Sequence, residues 1–125
     1  MAWIDDIERA TLDNETFRTV LFTGDHVQLT VMHIEPGGDI GEEVHEGQDQ
    51  FLRIEAGRAR VELGDEVHEV EDDWAVIVPA GVRHNVINTG PEALKVYSLY
   101  APPHHPDGTV HRTRADADAA EAAEH

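Results

Sequence analysis

The chain has 125 residues, the size of one domain and long enough to bury a core unaided. It contains no cysteine, which excludes a disulfide framework, a thiolate metal site and a cysteine nucleophile, so any metal must be held by nitrogen and oxygen. Acidic residues number 26 against 9 basic ones, a formal net charge of -17 with Lys95 as the only lysine, and this field argues against nucleic acid as a partner.

The opening Met1-Ala-Trp-Ile-Asp-Asp-Ile-Glu is acidic where a secretory signal needs basic residues ahead of an apolar stretch. No later run approaches membrane-spanning length, so a soluble cytoplasmic protein without membrane contact is expected. The acidic excess reads as adaptation to a salty cytoplasm, where a carboxylate-rich surface stays hydrated and self-repulsion is screened. An ordinary acidic protein is the plainer reading.

Residues 1–16 read as an N-terminal arm or short helix, with Trp3, Ile4, Ile7 and Leu12 at loose helical spacing. From Phe17 the pattern changes to short runs rich in Val, Ile, Leu, Phe and Thr, each bounded by Gly, Pro, Asp or Asn. The runs are Phe17 to Thr23, Val27 to Ile34, Val44 with its flanks, Gln50 to Glu55, Arg58 to Leu63, Glu66 to Val70, Ala75 to Val78, His84 to Asn88 and Ala93 to Tyr100. Connections such as Pro36-Gly37-Gly38, Gly64-Asp65 and Thr89-Gly90-Pro91 carry turn chemistry. Strands at this even spacing predict an all-β, antiparallel sandwich or barrel over 17–101. Residues 102–114, with Pro102-Pro103-His104-His105, read as a loop over or beside it. Residues 115–125 form an acidic, alanine-rich tail expected to be helical at most, otherwise disordered.

Residues two apart on a strand share a face, so Glu43 and His45 are expected to point the same way with Val44 opposite. Gln50 opens the next strand after a short turn, and His84 begins a later one. Converging inside a barrel, the four offer two side-chain oxygens and two imidazole nitrogens. That set suits one divalent transition metal, manganese, iron, nickel, cobalt or zinc, and is a poor cage for calcium.

On these residues the chain resembles the cupin family, whose motifs are Gly-x5-His-x-His-x3,4-Glu-x6-Gly and Gly-x5-Pro-x-Gly-x2-His-x3-Asn. Gly37, Glu43, His45, Gln50 and Gly57 stand at the spacing of the first, and Asp73, Pro79, Gly81, His84 and Asn88 at that of the second. The resemblance implies a double-stranded β-helix, or jelly-roll barrel, with a metal held by the motif residues, and a homodimer. Three positions depart: Glu43 replaces a His, Gln50 a Glu and Asp73 a turn Gly. Asp49 rivals Gln50 as ligand if the turn is one residue shorter; Gln50 preserves the distance to Gly57. The ligand set also resembles a permutation of that in metal-dependent mannose-6-phosphate isomerases, with Glu and Gln exchanged.

These features suggest a small metalloenzyme acting on a polar small molecule, such as a sugar phosphate or another hydroxy-carbonyl compound. The ion would polarise a carbonyl while a neighbouring proton is removed. A metal-dependent dioxygenase and a non-catalytic small-ligand-binding module are the alternatives. Candidates for acid and base are His104, His105 and, on the closing strand, Tyr97 and Tyr100, of which one is expected to line the cavity and one to pack outside. Arg83, beside the metal turn, is a candidate substrate contact. For each a plainer role exists: the four ligands as hydrogen-bonded barrel residues, the histidine pair as a surface loop. His26, His68 and His125 are expected in solvent, and His33 could face either side. Adjacent Phe51 and Leu52 imply burial on both faces of their strand, the outer one covered by the N-terminal arm or a second subunit.

Overall fold

The computed structural model describes residues 2–124, with side chains through residue 123; His125 lies outside the described residues. Asp6 caps the first helix, α1 (Ile7–Asp13), by accepting the Arg9 N–H at 3.1 Å. The strands follow: β1 (Arg18–Thr23), β2 (Gln28–Ile34), β3 (Asp49–Ala56), β4 (Arg58–Leu63), β5 (Glu66–Glu71), β6 (Ala75–Val78), β7 (His84–Asn88) and β8 (Leu94–Ala101). Each begins and ends within one residue of the run expected for it. A short β9 (Val110–His111) and a helix α2 (Arg114–Glu124) close the chain.

Two antiparallel sheets form, one ordered β6-β3-β8-β2-β1-β9 and the other β5-β4-β7. Their inner faces share one core, with Met32, Ile34, Leu52, Ile54, Leu94 and Val96 from the larger sheet meeting Ala59, Val61, Val70 and Val86 from the smaller. This is the expected antiparallel jelly-roll barrel. No helix among the described residues is long and apolar enough to cross a membrane.

Register grades the barrel interior from apolar to polar. Across β2, β8 and β3, Met32 pairs with Val96 and Val96 with Ile54, whereas two layers on Gln28 pairs with Tyr100 and Tyr100 with Gln50. Between them Thr30 faces Ser98. Cross-strand partners share a face, so one end of the interior is a dry packed core and the other is lined by hydrogen-bonding groups.

Two motif positions have structural work. Asn88 is 1% exposed, donates to the Ile34 and Glu92 carbonyls at 2.8 Å each, and accepts the Gly90 N–H at 2.9 Å, which ties off the β7–β8 turn. Gly57 turns the β3–β4 hairpin at φ 114°, and a Cβ there would lie 3.2 Å from the Leu94 Cα, so only glycine fits.

The expected strand around Val44 is absent. Its neighbourhood, with Gly38, Gly41 and Gly47, makes only isolated bridges, Asp39 to Ile87 and Glu43 to His84. In–out alternation survives: His45 is buried, and Val44 is 38% exposed. Residues 102–114, expected as loop, contain β9, which pairs with Arg18 and Thr19 of β1. Of helix or disorder for the tail, the structure has helix through 124: Arg114 reaches back to Asp39, bonds Asp118 at 3.0 Å one turn on, and Ala117 is buried. Helix α1 packs against β3, β8 and β2, while Phe51 itself packs on Tyr97.

Candidate metal centre

The site is assembled by the bridge between Glu43 and His84. Each residue's N–H donates to the other's carbonyl at 2.9 Å, which makes their side chains direct neighbours across the smaller sheet. His45, two residues after Glu43, shares its face. Gln50, 2% exposed, approaches from β3. One ligand atom from each of Glu43, His45 and His84 can be chosen so that all lie within 4.8 Å of one another. Asp49 points elsewhere, accepting the Ala80 N–H at 2.9 Å.

The protonation pattern shows what this pocket lacks. His84 donates its Nδ1 proton to the Val82 carbonyl at 3.0 Å, so the neutral ring presents the Nε2 lone pair. That nitrogen faces the Gln50 side-chain amide, 3.2 Å from its Oε1. Burial pushes the His84 pKa down, which keeps the ring neutral. His45 Nε2 lies 2.8 Å from Glu43 Oε2, an ion pair when the ring is protonated. Burial raises the Glu43 pKa, but His45, Arg18 and His104 together outweigh it, and the net value is lowered, so the carboxylate is ionised. Two imidazole nitrogens, a side-chain amide and one carboxylate converge, and with both rings neutral a divalent cation fits this donor set.

Around the cluster stand groups that the spacing left ambiguous. Tyr100 is buried, its ring 5.6 Å from that of His45, and burial raises its pKa far enough to keep the phenol protonated at ordinary pH. Tyr97 faces outward and packs on Phe51 with ring centroids 6.2 Å apart, so of the two only Tyr100 lines the interior. The His104 ring lies 4.3 Å from that of His45, and the His105 ring 5.2 Å from that of Tyr100, so these two histidines lie over the polar end. Arg83 is exposed and bonds Glu42 at 2.9 Å, away from the cluster. His33 bonds Lys95 at 2.7 Å and Glu35 at 3.1 Å on the outer surface. His68 and His26 are exposed.

Two residues that sequence reasoning passed over organise this end. Gln28, 0% exposed, accepts the N–H groups of His104 and His105 at 3.1 and 2.8 Å and donates to the His105 carbonyl and Thr23, fastening the histidine segment in place. Arg18, 1% exposed, donates from Nη1 to the His111 Nδ1 at 3.3 Å, while its Nε has no partner.

Comparison with known proteins agrees with this geometry. The cupin domain model matches residues 30–100, which hold all four converging side chains. The chain belongs to the cupin domain family. It is similar to the uncharacterized protein YrkC of Bacillus subtilis (strain 168), 56% identical over 125 residues, covering 95% of this chain and 67% of YrkC. Among solved structures it is similar to BH2720 of Bacillus halodurans, with 50% identity, a TM-score of 0.94 and 95% of each chain covered. TT1209 of Thermus thermophilus superposes with a TM-score of 0.71 at 25% identity, over 79% of this cupin and 96% of that chain.

Proposed function

We propose that this cupin is a metal-dependent enzyme that moves a proton on a polar hydroxy-carbonyl molecule, in the manner of an isomerase or epimerase. The observation that carries the reading is the convergence of Glu43, His45 and His84, one ligand atom from each within 4.8 Å of the others, with the Gln50 amide 3.2 Å from His84. Glu43, His45, Gln50 and His84 would hold the cation. When bound, a divalent cation supplies Lewis-acid polarisation of a substrate oxygen. Tyr100 holds its proton at the phenol oxygen and serves as a hydrogen-bond donor rather than a base. His104, exposed at the mouth yet beside His45, is placed to pass a proton between the site and solvent. His105 is held neutral, first by burial and then by the Arg18 charge, and the fastened segment shields the site from water. With Arg83 paired outward, no rim clamp for a phosphate is in place, and the reading narrows to hydroxy-carbonyl compounds.

Elemental analysis of protein purified without added metal, beside its His84→Ala variant, tests the proposal. About one divalent ion per chain in the parent and a loss of most of it in the variant are expected. Unchanged metal content in the variant would remove the site, and oxygen uptake coupled to turnover would move the reaction to the dioxygenase class.

A further inference from the structure

A buried arginine without a carboxylate is costly unless something else compensates it. Arg18 forms no ion pair with any described residue; its one polar contact is the donation to His111, and its Nε is buried without a partner. It belongs to the interior face, because it pairs with Met32 of β2 and with His111 of β9. From the Met32 layer its charge acts on Glu43, Tyr100 and His105, so the long side chain is directed along the interior toward the polar end. Three further buried polar atoms lack partners, Thr30 Oγ1 and Ser98 Oγ in the layer between and His105 Nε2 at the polar end. Thr30 and Ser98 face each other directly, and Thr30 sits beside Val20, two residues along β1 from Arg18 on the same face. Native interiors seldom leave so many donors idle in one place, and a ligand that accepts their hydrogen bonds resolves it.

The geometry points to an anion subsite in which Arg18, with Thr30, Ser98 and His105 around it, takes the carboxylate of a small hydroxy- or oxo-acid whose neighbouring oxygen reaches the cation. This rests on the metal reading for the second contact. Charge selects the class. Once Glu43 is committed to a divalent cation, the guanidinium stands uncompensated and the pocket as a whole is cationic. At the contact itself Arg18 supplies one fixed positive charge, and a monoanionic carboxylate paired there leaves no second negative charge buried beside it. The planar fork of the guanidinium fits a carboxylate bidentately.

Calorimetric titration of glycolate, inorganic phosphate and glycerol into the manganese-loaded protein tests the subsite, with metal content measured on every sample. Glycolate saturates one site per chain, phosphate binds more weakly and glycerol does not bind. Arg18→Met weakens glycolate by on the order of 10- to 100-fold with metal content unchanged, the loss expected for a charge-assisted bond. Arg18→Lys and the double variant Thr30→Val with Ser98→Ala, which keep the fold should Arg18→Met fail to, each weaken it by roughly 10-fold. Absence of saturable glycolate binding to the metal-loaded parent, tighter binding of phosphate, or parental affinity in both Arg18→Lys and the double variant overturns the subsite while leaving the metal reading intact. Glycolate binding that depends on Arg18 in protein that takes up no metal sustains the carboxylate contact and overturns the proposed function instead.

Discussion

His84 shows how much rides on one proton at the residue scale. Its Nδ1 proton is spent on the Val82 carbonyl, so in the neutral ring the other nitrogen can only accept, and burial lowers the pKa of half-buried His105 as it does that of His84. Burial, then Arg18, His104, His111 and His45, hold the His105 pKa down to about 2. In the unfolded chain a histidine binds its proton near 6.5. The unfolded state therefore gains protons first as pH falls below that value, and stability declines with it. His84 adds in the same direction, and the ionised Glu43 and Asp39 extend the loss at lower pH, since their lowered values favour the fold only above their own unfolded titrations. Urea unfolding midpoints are expected to fall between about pH 7 and pH 5, with a flatter profile in His105→Asn; an identical slope in the variant would remove the buried imidazole as the cause. Asp73 offers a second test. It stands at φ 74° where the second motif has glycine, and short polar side chains tolerate that conformation while β-branched ones do not. Asp73→Val should cost about 1–2 kcal/mol in chemical denaturation and Asp73→Gly should change stability by less than about 1 kcal/mol, because the Arg53 ion pair it gives up is exposed.

The elements that make the site are unequal in regularity. β7 and β3 are full strands, whereas Glu43 and His45 ride on a segment held by two bridges, by the Asn85 Oδ1 contact to the Gly41 N–H at 3.0 Å and by the Asn85 amide on Asp39. Arg114 of α2 braces the same Asp39, so the C-terminal helix supports the ligand-bearing segment from outside. Gln28 does the corresponding job for residues 104–105. A buried amide with four satisfied hydrogen bonds is a strong fastener because removing it strands backbone N–H groups. Gln28→Leu keeps the volume and loses all four, and it is expected to cost about 2–4 kcal/mol and to speed proteolytic cleavage near residues 104–105. Metal content should stay unchanged, since none of the four proposed ligands is among the hydrogen-bond partners of Gln28; cleavage as slow as in the parent would show that the segment is held by other contacts.

At the scale of the molecule, the excess of acid over base decides the response to salt. Arg53 with Asp73, Arg60 with Glu62 and Arg83 with Glu42 form surface ion pairs, but such pairs are worth roughly 0–1 kcal/mol each, too little to offset a net charge of -17. Screening to about 3 Å near 1 M salt removes more repulsion than attraction, so the melting temperature is expected to rise across a potassium chloride series. A maximum in dilute buffer would reject salt adaptation.

Sequence by itself determined the strand pattern and the motif positions, because alternation and turn chemistry are local. A strand face repeats every second residue, and Gly57, Gly81 and Asn88 stand where turns need their backbone freedom or hydrogen bonds. The same locality made Glu43, His45, Gln50 and His84 legible as a group. Tertiary structure alone decided which polar residues face inward and go unpaired. Arg18 and Gln28 are each the second residue of an expected strand run, and nothing local marks either as buried until β1, β2, β8 and β9 pair. Burial and the lack of a partner are properties of pairings between segments far apart in the chain, and no local period records them.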